Sequence, residues 1–355
     1  MRSILVALTG ALIAAAAHAQ SPASTALPGP SPTGLVVGSG NFFSPIVSDL
    51  DKAVAFYRDG LGLDVQGAPA SADTNPALRN MFGLPDAQLR WQIGRPAGMR
   101  TGVEIVEIKK AGGKALERRL QDIGATTLLV LVRDIDTVFA RLKQLGAPVV
   151  TKGGAPVFVP GGARKSRGVI VQDPDGHFVE LFQPDPLPEA PATPAPNVIE
   201  VRVRLSVADV ERETRLYRDA LGLAVRAPGE FAGQPAVLDM MGLPAGAQYR
   251  ASMFTVPTTG LTFELIDFKG VERRVVRGNI QDPGSTRMQL QVRDVDATIA
   301  ALTKAGGTVV SAGGTTVELP GRGGATTRVA IVREPSNLFL VLLQAPAPAP
   351  VRGRE

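Results

Sequence analysis

The sequence predicts an α+β fold written twice, each copy consisting of two strand–helix–strand units with the helices on one face of a mixed sheet. Two observations carry this. The chain repeats at a spacing near 160 residues: VSDLDKAVAFYRDGLGLDV (47–65) matches VADVERETRLYRDALGLAV (207–225), MFGLP (81–85) matches MMGLP (240–244), and VRDIDTVFARLKQLGAPVV (132–150) matches VRDVDATIAALTKAGGTVV (292–310). Within each copy, hydrophobic spacing also alternates between the two-residue period of strands and the 3.6-residue period of helices.

The elements follow in order. MRSILVALTGALIAAAAHAQ opens with Arg2, an apolar run from Ile4 to Ala17 and a small-x-small Ala17-His18-Ala19. This is the layout of a signal peptide over 1–19, and it predicts a periplasmic or secreted destination. Residues 20–40, rich in Pro, Ser and Ala and ending in GSG (38–40), read as a flexible leader. The first domain is placed at 41–183, a Pro/Ala linker at 184–197, the second domain at 198–344 and a tail at 345–355. In the first domain Ser48 and Asp51 have capping-box spacing, and Leu50, Val54, Tyr57 and Leu61 form a helical stripe that GLGL ends. In the second, Val201, Val203, Leu205 and Val207 face one way along a strand, and Arg202, Arg204 and Ser206 face the other. A further helix is predicted from Asp134 to about Leu145.

Composition narrows the function classes. At 355 residues and 44% hydrophobic content, two ordinary cores are affordable. The formal charge of +5 is scattered, which gives no reason to expect nucleic acid as a partner, and no apolar run after the signal suggests a membrane span. Cysteine is absent, so no thiolate binds metal or attacks a substrate. Loss of the signal leaves His177 as the only histidine. No phosphate-binding loop, dinucleotide fingerprint or nucleophile motif is convincing. The basic PGGARKSRG (160–168) reads as a loop at a rim.

The stretches VSDLDKAVAFYRDGLGL, VRDIDTVFARLKQLG and DPDGHFVELFQ, with weaker copies in the second half, resemble the vicinal oxygen chelate superfamily of glyoxalase I, bleomycin-resistance proteins and extradiol dioxygenases. The resemblance implies tandem glyoxalase-like domains, each of two βαβββ units curling around a cleft. It also implies four metal-ligand positions per cleft, often two His and two Glu. Those positions carry Phe42, Glu104, Thr127 and Glu180 in the first copy, and Arg202, Glu264, Arg287 and Val341 in the second. Histidine stands at none of them, and DPDGHFVEL has become EPSNLFLVL.

An arginine stays protonated and cannot ligate a cation, but it can replace one by pairing with a carboxylate. If the copies cross over, one cleft gathers Arg202, Glu264, Thr127 and Glu180, and the other Phe42, Glu104, Arg287 and Val341. Their charges are then about −1 and 0, rather than −2 and +1, which is favoured because buried like charges are expensive. Gln289 and Gln291 add polar lining beside Arg287, and Phe178 shares a strand face with Glu180. Trp91 is a possible lining aromatic. Tyr57 and Tyr217 read as core, and His177, facing away from Glu180, as structural.

The resulting expectation is a metal-free binder of a small amphipathic or anionic molecule, as a monomer with pseudo-symmetric domains or a homodimer. Two rivals stand beside it. One is an enzyme in which Glu180 and Glu264 are catalytic or hold Mg²⁺ or Mn²⁺. The other is a scaffold whose clefts are filled by side chains.

Overall fold

The computed structural model describes residues 34–71, 75–161, 164–190, 195–320 and 326–344. The predicted signal peptide, most of the leader, the tail, and residues 162–163 of the basic stretch lie outside them. No helix among the described residues is long and apolar enough to cross a membrane.

The described chain falls into four units. The first has strands Val36–Ser39, Ser44–Val47, Gln88–Arg95 and Val103–Lys109, with helices Leu50–Ala55 and Pro76–Phe82. The second runs from strand Thr126–Val132 through helix Ile135–Gln144 to strands Val157–Gly161, Arg164–Gln172 and Phe178–Gln183. The third and fourth repeat this plan, starting from strands Val198–Ser206 and Thr286–Val292. Helix starts follow the repeated aspartates: Asp49, Asp134, Asp209 and Asp294 each accept a first-turn backbone N–H. Asp49, not Ser48, therefore caps the first helix; the Ser48 N–H instead donates to Asp175 Oδ1 at 3.1 Å. A π-turn prolongs that helix over Phe56–Gly60, and the equivalent Leu216–Ala220 does the same.

The sheets cross between the copies. One joins the second and third units: Thr126–Val132 runs antiparallel to Val198–Ser206, with Thr127 opposite Arg204. The other joins the first and fourth: Ser44–Val47 lies against Thr286–Val292, with Ser44 opposite Arg287. Each sheet thus draws strands from both repeats, the arrangement that charge balance favoured. Val36–Ser39 also pairs with Thr286–Val292, so strand structure begins inside the stretch read as leader, and Gly38 sits opposite Gln291.

One core, contributed by all four units, unites the helix stripes with the strand faces behind the clefts; it contains Leu50, Tyr57, Leu61, Val130, Val138, Val203, Tyr217 and Leu290. The connectors between units are knitted together by Asp122. This buried carboxylate receives Arg119 Nη2 at 2.9 Å and Arg274 Nη2 at 3.0 Å. Burial alone would raise its pKa, but the hydrogen bonds from Arg119 and Arg274 prevail and hold it down at about 2. Thr126 and its repeat equivalent Thr286 touch, Oγ1 to Oγ1, at 2.6 Å, which marks where the pseudo-twofold axis passes.

Candidate functional site

Each sheet forms a cleft on the face away from the helices that the repeated aspartates cap, and the clefts differ in whether they are filled. The cleft of the first and fourth units encloses a cavity of about 160 Å³. Helix Pro76–Phe82 contributes Leu78, Met81 and Phe82 to its wall; neighbouring strands contribute Leu89, Trp91 and Val106; the fourth unit contributes Leu319, Val341 and Leu343. At one end stand Glu104, Arg287 and Gln289. Arg287 Nη2 donates to Glu104 Oε2 at 2.8 Å, Gln289 Nε2 at 3.0 Å and Ser44 Oγ at 3.3 Å to the same oxygen. The Arg287 guanidinium lies 4.8 Å from the Phe82 ring centre. Arg287 is only 2% exposed, and its Nε–H is buried with no hydrogen-bond partner. Burial pulls its pKa below the ordinary arginine value, and the Glu104 charge pushes back.

Glu107, three residues beyond Glu104, points to the opposite face. It accepts the Leu50 N–H at 3.2 Å and pairs with Arg90 at 3.2 Å, so it steadies the start of a helix and does not line the cavity.

In the cleft of the second and third units, the crevice between Leu120, Thr127, Arg204 and Met241 leaves no room for a water molecule. Arg204 runs through it, with Nη1 2.6 Å from Glu180 Oε2 and Nε 2.8 Å from Glu264 Oε2. Burial raises the Glu180 carboxyl, an effect Arg204 partly offsets. Burial also works against the Arg204 charge, but the two carboxylates outweigh it and hold the guanidinium above its ordinary value. Glu264 Oε1 is left buried without a partner. Arg204 and Met241, which line the crevice, stand where the first copy has Ser44 and Phe82, and Tyr249, buried near Arg204 and Glu180, stands where it has Leu89.

Several expected site residues are placed elsewhere. Arg202 pairs with Glu200, Nε to Oε1 at 2.7 Å, and the neighbouring Arg204 takes the role expected of it. Both side chains leave the same strand face, so alternation alone could not choose between them. Phe42 is fully buried in the main core and lines neither cleft, because the chain bulges there between two strands. Phe178 packs in the apolar cluster with Met241 and Phe268 and lines no cavity. Thr127 borders the filled crevice beside Arg204. Glu104, Arg287 and Gln289 do meet across copies, and Trp91 lines the cavity. The contribution of helix Pro76–Phe82 was overlooked, although the repeated MFGLP and MMGLP motifs signal it.

His177 is buried between two acceptors, its Nδ1 2.9 Å from Asp173 Oδ2 and its Nε2 3.0 Å from the Ser285 carbonyl. Tyr57 donates to the same Asp173 oxygen at 3.0 Å. Burial lowers the imidazole pKa, but the adjacent Asp173 charge outweighs it and the net shift is upward.

A divalent ion of the kind the fold family implies does not suit these donors. Among the described residues no three His, Cys, Asp or Glu side chains cluster as a cage. In the second cleft both carboxylates are taken by one guanidinium, and the first offers a single carboxylate beside another guanidinium.

The model of the Glyoxalase/Bleomycin resistance protein/Dioxygenase superfamily matches residues 41–181, and that of a glyoxalase-like domain matches residues 202–324. Glyoxalase I from Zea mays is similar in structure: it is 19% identical, with 86% of this chain and 92% of that chain covered and a TM-score of 0.54. Two point variants of the maize protein give TM-scores of 0.55 and 0.53, at 19% and 18% identity, each covering 86% of this chain and 92% and 94% of theirs. At such identity the likeness is one of fold. No curated protein matches the sequence. The chain belongs to the glyoxalase/bleomycin resistance protein/dioxygenase superfamily, with two glyoxalase-like domains in tandem.

Proposed function

We propose that this protein binds a small organic molecule in the cavity between its first and fourth units, and that it does so without a resident divalent ion. The carrying observation is the cavity itself: about 160 Å³ of mainly apolar space ending in the Arg287–Glu104–Gln289 cluster. A pocket of this kind suits a ligand with an apolar body and a polar end. An apolar cavity of roughly 150 Å³ holds one benzene-sized ring. The second cleft, filled by Arg204, Tyr249 and Met241, is read as structural. Both clefts are complete within one chain, which supports a pseudo-symmetric monomer as the working unit. The signal-like Met1–Ala19 supports export to the periplasm or beyond.

Trp91, the only tryptophan, is a built-in reporter on the cavity wall. Toluene titrated into the protein is expected to change its emission saturably. Leu89→Tyr, which copies the residue that helps fill the other cleft, is expected to abolish the response. An unchanged response in that variant, or stoichiometric divalent metal in protein purified without chelator, contradicts the reading.

A further inference from the structure

We infer that the cavity selects an uncharged ligand, one whose ring-sized apolar body carries a hydrogen-bond acceptor and a donor side by side, as a primary carboxamide does. This rests on the reading of the cavity as a ligand pocket and adds the chemistry of its occupant.

Charge comes first. Arg287 and Glu104 are the only charged side chains lining the cavity, and they are already paired at 2.8 Å. An anionic ligand would bring a second negative charge against Glu104. A cationic ligand would meet Arg287 in the same way.

Hydrogen bonding then specifies the polar end. All three donors to Glu104 converge on Oε2, and Oε1 accepts none among the described residues. On the other side of the pair, Arg287 Nε–H is fully buried and out of a ligand's reach, which leaves Nη1 as the donor group. Its Nη1 makes no hydrogen bond among the described residues, since Nη2 alone reaches Glu104. The ion pair thus offers an acceptor on one partner and donors on the other, without having to break. A carboxamide places its C=O toward the guanidinium and its N–H toward Oε1, whereas a carboxylate has no proton to give Glu104 and a plain hydrocarbon leaves both groups unmet.

The test uses three ligands of matched size, toluene, benzamide and benzoate, titrated into the full chain at neutral pH with Trp91 emission as readout. Benzamide is expected to bind tightest and benzoate weakest, with benzamide and benzoate about tenfold or more apart. In Glu104→Gln, which removes the fixed anion, this gap is expected to shrink about tenfold. If that variant does not fold, the wild-type ranking decides alone. Benzoate binding as tightly as benzamide overturns the inference. Toluene matching benzamide also overturns it while leaving the cavity a ligand pocket. No response to any of the three removes both the inference and the reading beneath it.

Discussion

At the scale of single residues, the two clefts show one substitution made from opposite sides. In each sheet a guanidinium and a small hydroxyl face one another across the central strand pair: Arg204 opposite Thr127, and Arg287 opposite Ser44. Two arginines there would repel; one beside a small residue fits. Arg204 is the more committed of the two, since it pairs directly with both Glu180 and Glu264. Arg204→Met removes the cation hydrogen-bonded to both buried carboxylates and is expected to cost roughly 3–5 kcal/mol in denaturant unfolding. Replacing Glu180 and Glu264 by Leu in the same chain is expected to recover most of that loss, because it removes the orphaned charges and keeps the volume filled. If the single and triple variants are equally unstable, the triad is not the strut described here. Glu104 and Arg287 were legible because the resemblance carries the superfamily's ligand positions onto them, and Gln289 because strand alternation puts it on the face of Arg287. The choice of Arg204 over Arg202 was not legible: it depends on Glu200, which draws Arg202 away.

At the scale of elements, the turn before the last strand of each repeat shows what divergence did. In DPDGH the Asp173 carboxylate accepts the Asp175 and His177 N–H groups and holds the Tyr57 hydroxyl and the imidazole. In EPSNL Glu334 keeps the two turn bonds, from Ser336 and Leu338, but the histidine is now Leu338 and the Tyr217 hydroxyl has no partner. Asn337 takes a positive φ of 75° where Gly176 has 84° in the first copy, a role asparagine fills better than most residues. A second buried acid, Glu213, replaces Ala53. Burial, reinforced by the Glu213 charge, pushes the Glu334 carboxyl up to about 8. A carboxyl with a raised folded pKa binds its proton more tightly folded than unfolded. Stability is therefore expected to fall as pH rises from about 4.3 toward 8. Glu334→Gln is expected to flatten that slope, measured by denaturant unfolding at pH 5 and pH 8; an unchanged slope argues against a buried acid pair. The helix that Asp134 caps was readable, whereas the first helix was given a Ser48 cap and is capped by Asp49. The first strand was not, because its Gly- and Ser-rich ending resembles a leader, and its partner lies some 250 residues away in sequence.

At the scale of the whole molecule, the repeat boundary and the sheet boundary do not coincide. Two domains were readable from the repeat, but which strands pair was not; only the charge sums of the clefts favoured crossing. Because each sheet takes strands from both copies, neither half closes a cleft alone. A chain cut between residues 190 and 195 is expected to remain one particle: the two fragments, produced together, should copurify and keep the Trp91 response to toluene. The fragment ending at 190, produced alone, should show no such response. If it binds toluene by itself, the cavity does not need the fourth unit.

The contact between Thr126 and Thr286 has a consequence of its own. Identical side chains meet there across a rotation axis, yet an O–H···O bond has a direction: one hydroxyl gives its hydrogen and the other receives it. The two repeats therefore cannot be equivalent down to the last atom, even at a point where their sequences agree. Before any divergence in sequence, a molecule of this design already tells its left half from its right by the position of one proton.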